Sequence, residues 1–192
     1  MILDIVKYGH PALRRVGARV AGVTPDIRQF AADLIETMHA AHGVGLAAQQ
    51  VDRALQMFVI DVREVKGRPS WLERDGQRVA VEAFMPLALI NPEVKPLGEP
   101  VTGPEGCLSF PEIFADITRP ESADVTAWNE KGEIVSFRCG GLLARAIQHE
   151  YDHLRGVLYI DRMSGETKRE LRSQLETLQA ETRAALRRAR RA

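Results

Sequence analysis

Apolar positions recur along this chain with two different periods, and the changes of period divide it into helices and strands. After Thr24 and Pro25, residues suited to capping and starting a helix, Ile27, Phe30, Ala31, Leu34 and Met38 fall on one side of a 3.6-residue repeat that runs out near Gly43. Short apolar runs follow at 55 to 62, 88 to 91, 115 to 118, 123 to 128 and 134 to 137, each broken by turn residues, and they predict strands. Asn129-Glu130-Lys131-Gly132 reads as a hairpin turn. The helical period returns after Gly140-Gly141, with Leu142, Leu143, Ala146 and Ile147 as its stripe and Gly156 as its stop. A last helix is expected beyond 164, with Leu171, Leu175, Leu178 and Ala185 on its apolar side. The polar stretch from 63 to 82, containing Lys66-Gly67-Arg68-Pro69 and Glu73-Arg74-Asp75-Gly76, reads as a surface insertion in the form of a mobile hairpin. The layout is α+β: largely antiparallel β-sheets packed around a central helix, with an N-terminal and a C-terminal helix flanking them.

The chain has 192 residues, 45% hydrophobic and 27% charged, which suits a single domain over 1–192 with a sizeable core. Its formal net charge is zero but unevenly spread. Residues 162 to 192 hold nine Arg or Lys against four Glu, so 164–192 is expected to be a basic helix. Arg183, Arg187, Arg188, Arg190 and Arg191 crowd its end. Two cysteines argue against a disulfide framework and for a reducing compartment. There is no basic segment followed by an apolar run at the N-terminus, and no stretch near the roughly 18 apolar residues of a membrane span. The expected location is the cytoplasm, with no membrane and no DNA partner.

The most specific chemistry lies in Gln148-His149-Glu150-Tyr151-Asp152-His153. His149 and His153 are four positions apart, so on a helix they stand roughly 40° apart and one turn apart, able to reach one ion. Glu150 falls beside that ion without binding it, where it can take a proton from an attacking water, as in H-E-x-x-H hydrolases. A catalytic metal commonly has three protein ligands. A third His at 159 is excluded, since that residue is Tyr159, and Glu166, Glu170 and Glu176 lie in a charged helical stretch that reads as solvated. Cys107, within Glu105-Gly106-Cys107-Leu108-Ser109, is the better candidate, because Gly106 permits close approach and Gly103-Pro104 and Pro111 shape the loop. The small-residue segment Gly43-Val44-Gly45-Leu46-Ala47-Ala48-Gln49-Gln50 lets a backbone approach a ligand, and serves equally as the turn that ends the preceding helix.

Taken together and in this order, the three segments resemble the peptide deformylase family, whose pattern is a Gly-x-Gly-x-Ala-Ala-x-Gln loop, a Glu-Gly-Cys-x-Ser loop and a Gln-His-Glu-x-x-His helix. Every fixed position is met here. The likeness runs from Asp4-Ile5-Val6 through Asp161 and Met163, and the helical C-terminus is that of the bacterial type. The resemblance implies hydrolysis of the formyl amide on the first methionine of new polypeptides, releasing formate. It implies Cys107, His149 and His153 as ligands of one divalent ion, Fe²⁺ with Ni²⁺ or Zn²⁺ as substitutes, and Glu150 as the proton carrier. The Gln50 amide and the Leu108 backbone N–H are implied as donors to the oxyanion. Val44 and Leu142, with the ring face of His149, would take the methionine side chain, while backbone groups of Val44, Gly45 and Gly106 pair with the peptide. Glu105 and Asp152 are expected to orient the imidazoles. Phe114, Arg145 and Gly103 depart from the familiar pattern, and are expected to bear on substrate preference and not on the metal. The basic tail is implied to touch the ribosome surface. Two rival readings are a metallopeptidase with another third ligand, and a non-catalytic ribosome-binding module whose structural zinc is closed by Cys107, Cys139, His149 and His153.

Overall fold

Seven antiparallel strands form one sheet that curls around a single buried helix, as seen in the computed structural model of the protein, which describes residues 1–190. The strands are β1 (Gly45–Ala47), β2 (Met57–Ile60), β3 (Ser70–Arg74), β4 (Gln77–Val79), β5 (Leu87–Cys107), β6 (Phe110–Trp128) and β7 (Ile134–Gly141), and the sheet order is β1-β2-β5-β6-β7-β3-β4. The helices are α1 (Pro25–Ala40), α2 (Leu142–Leu154) and α3 (Gly165–Ala189). This is the expected α+β layout, with α2 as the central helix.

Alternation along β2 explains how the sheet is covered on both faces. Phe58 and Ile60 pack with Leu143 and Ile147 of α2, whereas Met57 and Val59 pack with Phe30, Leu34 and Met38 of α1. All four β2 side chains are buried, hence the unbroken apolar run in the sequence. Helix α1 begins as its sequence predicts, with Pro25 in the first turn and the Thr24 hydroxyl accepting from Ile27 N at 3.4 Å.

The central helix is buried at twelve of its thirteen residues, so its first amides need partners inside the protein. Leu142 N donates to the Pro69 carbonyl and Leu143 N to Ser70 Oγ, each at 3.0 Å. Those acceptors belong to the 63–82 stretch, which corrects its expected character. It is a hairpin, turning at Asp75 and Gly76 with φ of 52° and 76°, but β3 pairs with β7 from Ser70↔Gly141 to Glu73↔Arg138 and Leu72 is buried in the main core. The insertion extends the sheet and caps the helix that carries the histidines.

The long β5–β6 hairpin also departs from the sequence expectation, which placed strands only at 88–91, 115–118 and 123–128. Pro92, Pro96, Pro100 and Pro104 read as breakers, yet beyond Ile90 the strand β5 has, among the described residues, β6 as its one strand partner, and its open edge tolerates residues without an N–H. Bulges at Ile90/Glu93, Leu97/Pro100 and Glu105/Cys107 absorb the irregularity. The last pair is Cys107↔Phe110, so Leu108 and Ser109 form the tip.

Helix α3 is capped by Ser164 Oγ, which accepts from Thr167 N at 3.1 Å. Leu171, Leu175 and Leu178 pack on the cluster of Phe110, Ile113, Ile117 and Tyr159. Ala185, expected on the same stripe, is exposed; the apolar contact ends before it. Arg183, Arg187, Arg188 and Arg190 are exposed, and Arg191 lies outside the described residues. Among the described residues no helix is long and apolar enough to cross a membrane.

Candidate active site

Cys107 at the end of β5 meets His149 and His153 on successive turns of α2. Their candidate donor atoms all lie within 4.8 Å of one another, and Cys107 Sγ is 3.4 Å from His153 Nε2. Around a tetrahedral ion with bonds of about 2.0–2.3 Å, such donors stand roughly 3.3–3.6 Å apart, so this mixed thiolate and imidazole set fits a single divalent metal with small adjustments. Cys139 is not part of the cluster: its thiol donates to the Ala123 carbonyl at 3.7 Å inside the core. That removes the four-ligand structural-zinc reading. Tyr159, at the position of the excluded third histidine, donates its hydroxyl to the Ile113 carbonyl at 2.8 Å.

Polar groups behind the cluster fix its imidazoles unequally. His149 Nδ1 donates to Glu105 Oε2 at 2.9 Å, which turns Nε2 toward the cysteine. Glu105 also accepts from Arg119 at 2.6 and 2.9 Å, and Arg119 continues to Asp152 at 2.8 Å. Burial pushes the Glu105 carboxyl up, but hydrogen bonds from His149 and Arg119 outweigh it and hold the group well below the usual carboxylate range. The expectation for Glu105 as an orienting group therefore has its geometry. That for Asp152 needs correction: its carboxylate faces Arg119, Arg155 and Arg162, so it reaches His149 only through Arg119 and Glu105. His153 Nδ1 is buried without a hydrogen-bond partner among the described residues. Sequence reasoning missed Arg119 altogether, although it stands at an inward position of β6, in step with Ala115 and Ile117, where a charge signals a buried partner.

Glu150 is 5% exposed, with Oε2 unpartnered among the described residues, and burial pushes its carboxyl up to about 7. A buried acid titrating near neutrality can both take and return a proton. Gly45 makes its position possible, since a Cβ there would lie 2.4 Å from Glu150 Oε1. We expect Gly45→Ala to displace that carboxylate and lower kcat on the order of 10²-fold, the scale of an ångström's misplacement. Steady-state kinetics beside a thermal melt check this, and a variant within threefold of the parent rate contradicts it.

The Gln50 side chain is held from both ends. Its Oε1 accepts from Ala47 N at 2.8 Å, which points Nε2 toward Ser109 Oγ at 3.3 Å and Cys107 Sγ at 3.4 Å. The N-terminal segment stitches the two loops together: Val6 N donates to the Gln50 carbonyl, Tyr8 N to that of Ser109, and Lys7 Nζ to that of Leu108 at 2.8 Å. A cleft of about 480 Å³ opens beside the cluster, lined by Val44, Gly45, Gln50, Gly106, Cys107, Leu108, Leu142, His149 and Glu150. The expected site residues thus meet in one place, with buried His153 behind the cleft wall. Phe114 stands at the cleft, 68% exposed. Arg145 also lines the cleft, as its expected bearing on substrate preference requires, but it is buried and Nη1 donates to Glu105 Oε1 at 2.9 Å, behind the histidine.

Comparison with known proteins agrees with this geometry. The family model described as polypeptide deformylase matches residues 2–169. A peptide deformylase of Opitutus terrae is 42% identical over 187 residues, covering 96% of this chain and 97% of its own. The crystal structure of a peptide deformylase from Synechococcus elongatus in complex with actinonin superposes with a TM-score of 0.76 at 36% identity, covering 90% of this chain and 87% of that one. The crystal structure of the peptide deformylase from Thermotoga maritima gives 0.72 at 38%, covering 85% and 99%.

Proposed function

Because the chain belongs to the peptide deformylase family, and so removes the formyl group from the N-terminal methionine of newly synthesised polypeptides with a single divalent metal, we propose that Cys107, His149 and His153 are the protein ligands of that ion. The observation that carries the assignment is the convergence of their donor atoms to within 4.8 Å beside the buried carboxylate of Glu150. When bound, the ion supplies a Lewis acid that makes water nucleophilic near neutral pH.

The remaining steps belong to side chains and backbone of the cleft. Glu150 takes a proton from the attacking water and returns it to the departing amine nitrogen as the C–N bond breaks, leaving formate and a free N-terminal methionine. Gln50 Nε2–H and Leu108 N–H donate to the formyl oxygen as it becomes an oxyanion. Val44 and Leu142 take the methionine side chain against the face of His149. The extended peptide pairs with backbone groups of Val44, Gly45 and Gly106, like an added strand. From the family resemblance we assign Fe²⁺ as the working ion, with Ni²⁺ and Zn²⁺ as substitutes; the thiolate and imidazole donors are compatible with that assignment and do not themselves select the ion. Cys107→Ser is expected to fold but to bind Fe²⁺ and Zn²⁺ far more weakly than the parent, read as metal content after gel filtration. Equal content in the variant removes Cys107 from the ligand set.

We read residues 1–192 as one domain working in the cytoplasm. The exposed arginines at the end of α3 suit an electrostatic contact with the ribosome surface, where phosphates and nascent chains are concentrated. Deleting residues 183 to 192 is expected to weaken ribosome binding, with a shallower dependence on salt, and to leave turnover of short peptides unchanged. Unaltered ribosome affinity in a cosedimentation series overturns this contact.

A further inference from the structure

Arg145 sits one helical turn before His149, on the same side of α2, and is 8% exposed. Its guanidinium reaches both strands of the hairpin that carries Cys107. Nη1 donates to Glu105 Oε1 at 2.9 Å and to the Ile117 carbonyl at 2.7 Å, with a longer contact to the Gly103 carbonyl at 3.4 Å, while Nη2 donates to the Val101 carbonyl at 2.6 Å. Glu105 thereby has all its acceptor sites filled. Oε1 takes Arg119 Nε and Arg145 Nη1, and Oε2 takes Arg119 Nη2 and His149 Nδ1. Arg119 approaches from β6 and shares its third nitrogen with Asp152, so it ties Glu105 to the sheet and to the far end of α2. Among the described residues, Arg145 alone joins that carboxylate to the turn of α2 just before His149.

Gly103 supplies the space. A Cβ at that position would lie 3.4 Å from Nη2 and 3.5 Å from Cζ, already in van der Waals contact, so a β-branched side chain there would crowd the guanidinium. A long cation at 145 and no side chain at 103 form a matched pair.

We propose that Arg145 is a positioning residue of the metal site, holding Glu105 so that His149 keeps its orientation and holding β5 and β6 so that Cys107 keeps its distance. This rests on Cys107, His149 and His153 being the ligands. Replacing a group that supports a metal ligand from behind typically costs about 10- to 100-fold in metal affinity.

The test uses the full chain with Co²⁺ as the probe, comparing the parent with Arg145→Met, Arg145→Lys and Gly103→Val. For Arg145→Met we expect Co²⁺ affinity to fall about 10- to 100-fold, the visible bands of the bound ion to shift, and kcat to drop more than KM changes. Arg145→Lys should recover part of the affinity, because an ammonium reaches Glu105 but cannot also cover the carbonyls. Gly103→Val, which keeps the charge and displaces it, should shift the bands in the same direction and serves if Arg145→Met does not fold. A variant that melts earlier yet binds Co²⁺ with parental affinity and unchanged bands overturns the proposal. A parent without a thiolate-to-cobalt band overturns the ligand assignment itself, and this proposal with it.

Discussion

Glu150→Gln is expected to keep its bound ion and to lose roughly 10²- to 10⁴-fold in kcat on a formyl-methionyl peptide, the range set by losing a positioned general base. The amide has nearly the shape of the carboxylate and still fits against Gly45, so the cluster of Cys107, His149 and His153 is not disturbed. What disappears is the group that carries the proton from water to the amine. The same substitution should change stability in the opposite direction. In the metal-free protein, burial raises the Glu150 carboxyl from 4.5 to about 7, so the folded state holds a proton that the unfolded chain releases. The resulting penalty is absent below 4.5, grows as the pH rises toward 7 and is complete above it. Metal-free Glu150→Gln should therefore gain melting temperature over the metal-free parent as the pH passes from 5 to 8. Equal turnover in variant and parent at matched metal content removes Glu150 from the mechanism, and an unchanged melting difference across that range removes the buried anion from the stability account.

Gln50→Ala is the second large effect, expected to lower kcat by about 10²- to 10³-fold, or roughly 2.7–4 kcal/mol, the cost of one oxyanion donor elsewhere. The same side chain accepts from Ala47 N, and leaving that buried amide unpaired costs about 1–3 kcal/mol of stability. Gln50→Glu separates the two roles. It retains an acceptor for Ala47 N and loses the N–H donor, so its rate should fall at least as far as that of Gln50→Ala while its melting temperature falls less. If both variants turn over within tenfold of the parent, the Leu108 amide carries the oxyanion without Gln50.

Much of this was legible in the sequence because it rested on local chemistry. Thr24-Pro25 and Gly140-Gly141 mark the starts of α1 and α2, Asn129 to Gly132 marks a hairpin, and a spacing of four positions from His149 to His153 places both rings on one face. What escaped depended on long-range pairing. Four prolines hid the length of β5, because only the unpaired edge beyond Ile90 makes them acceptable. The polar composition of 63–82 concealed a strand, because Leu72 is buried only once β7 lies beside it. Arg119 goes unmarked in the sequence, and Arg145 reads there as bearing on substrate preference. Their partners stand 14 and 40 residues away in the chain, so that only the fold reveals Glu105 between them.

The supporting network also explains why so many charges are tolerated in one interior. Arg145, Glu105, Arg119, Asp152 and Arg162 alternate in sign along a chain of short hydrogen bonds. Both carboxylates of this network, Glu105 and Asp152, are matched by guanidinium donors, the condition under which burial of charge is sustained. The network joins the metal helix to both strands of the hairpin and to the segment leading into α3.

If this cleft hydrolyses a formyl amide with one divalent ion held by Cys107, His149 and His153, activity must follow the ion. Formate release from an N-formyl-methionyl tripeptide by protein purified without oxygen, assayed with Fe²⁺ bound, after stripping by a chelator, and after reloading, decides the matter. Release is expected with one ion per chain, none after stripping and recovery on reloading. Release that persists after stripping, or no release from protein carrying a full equivalent of ion, contradicts it.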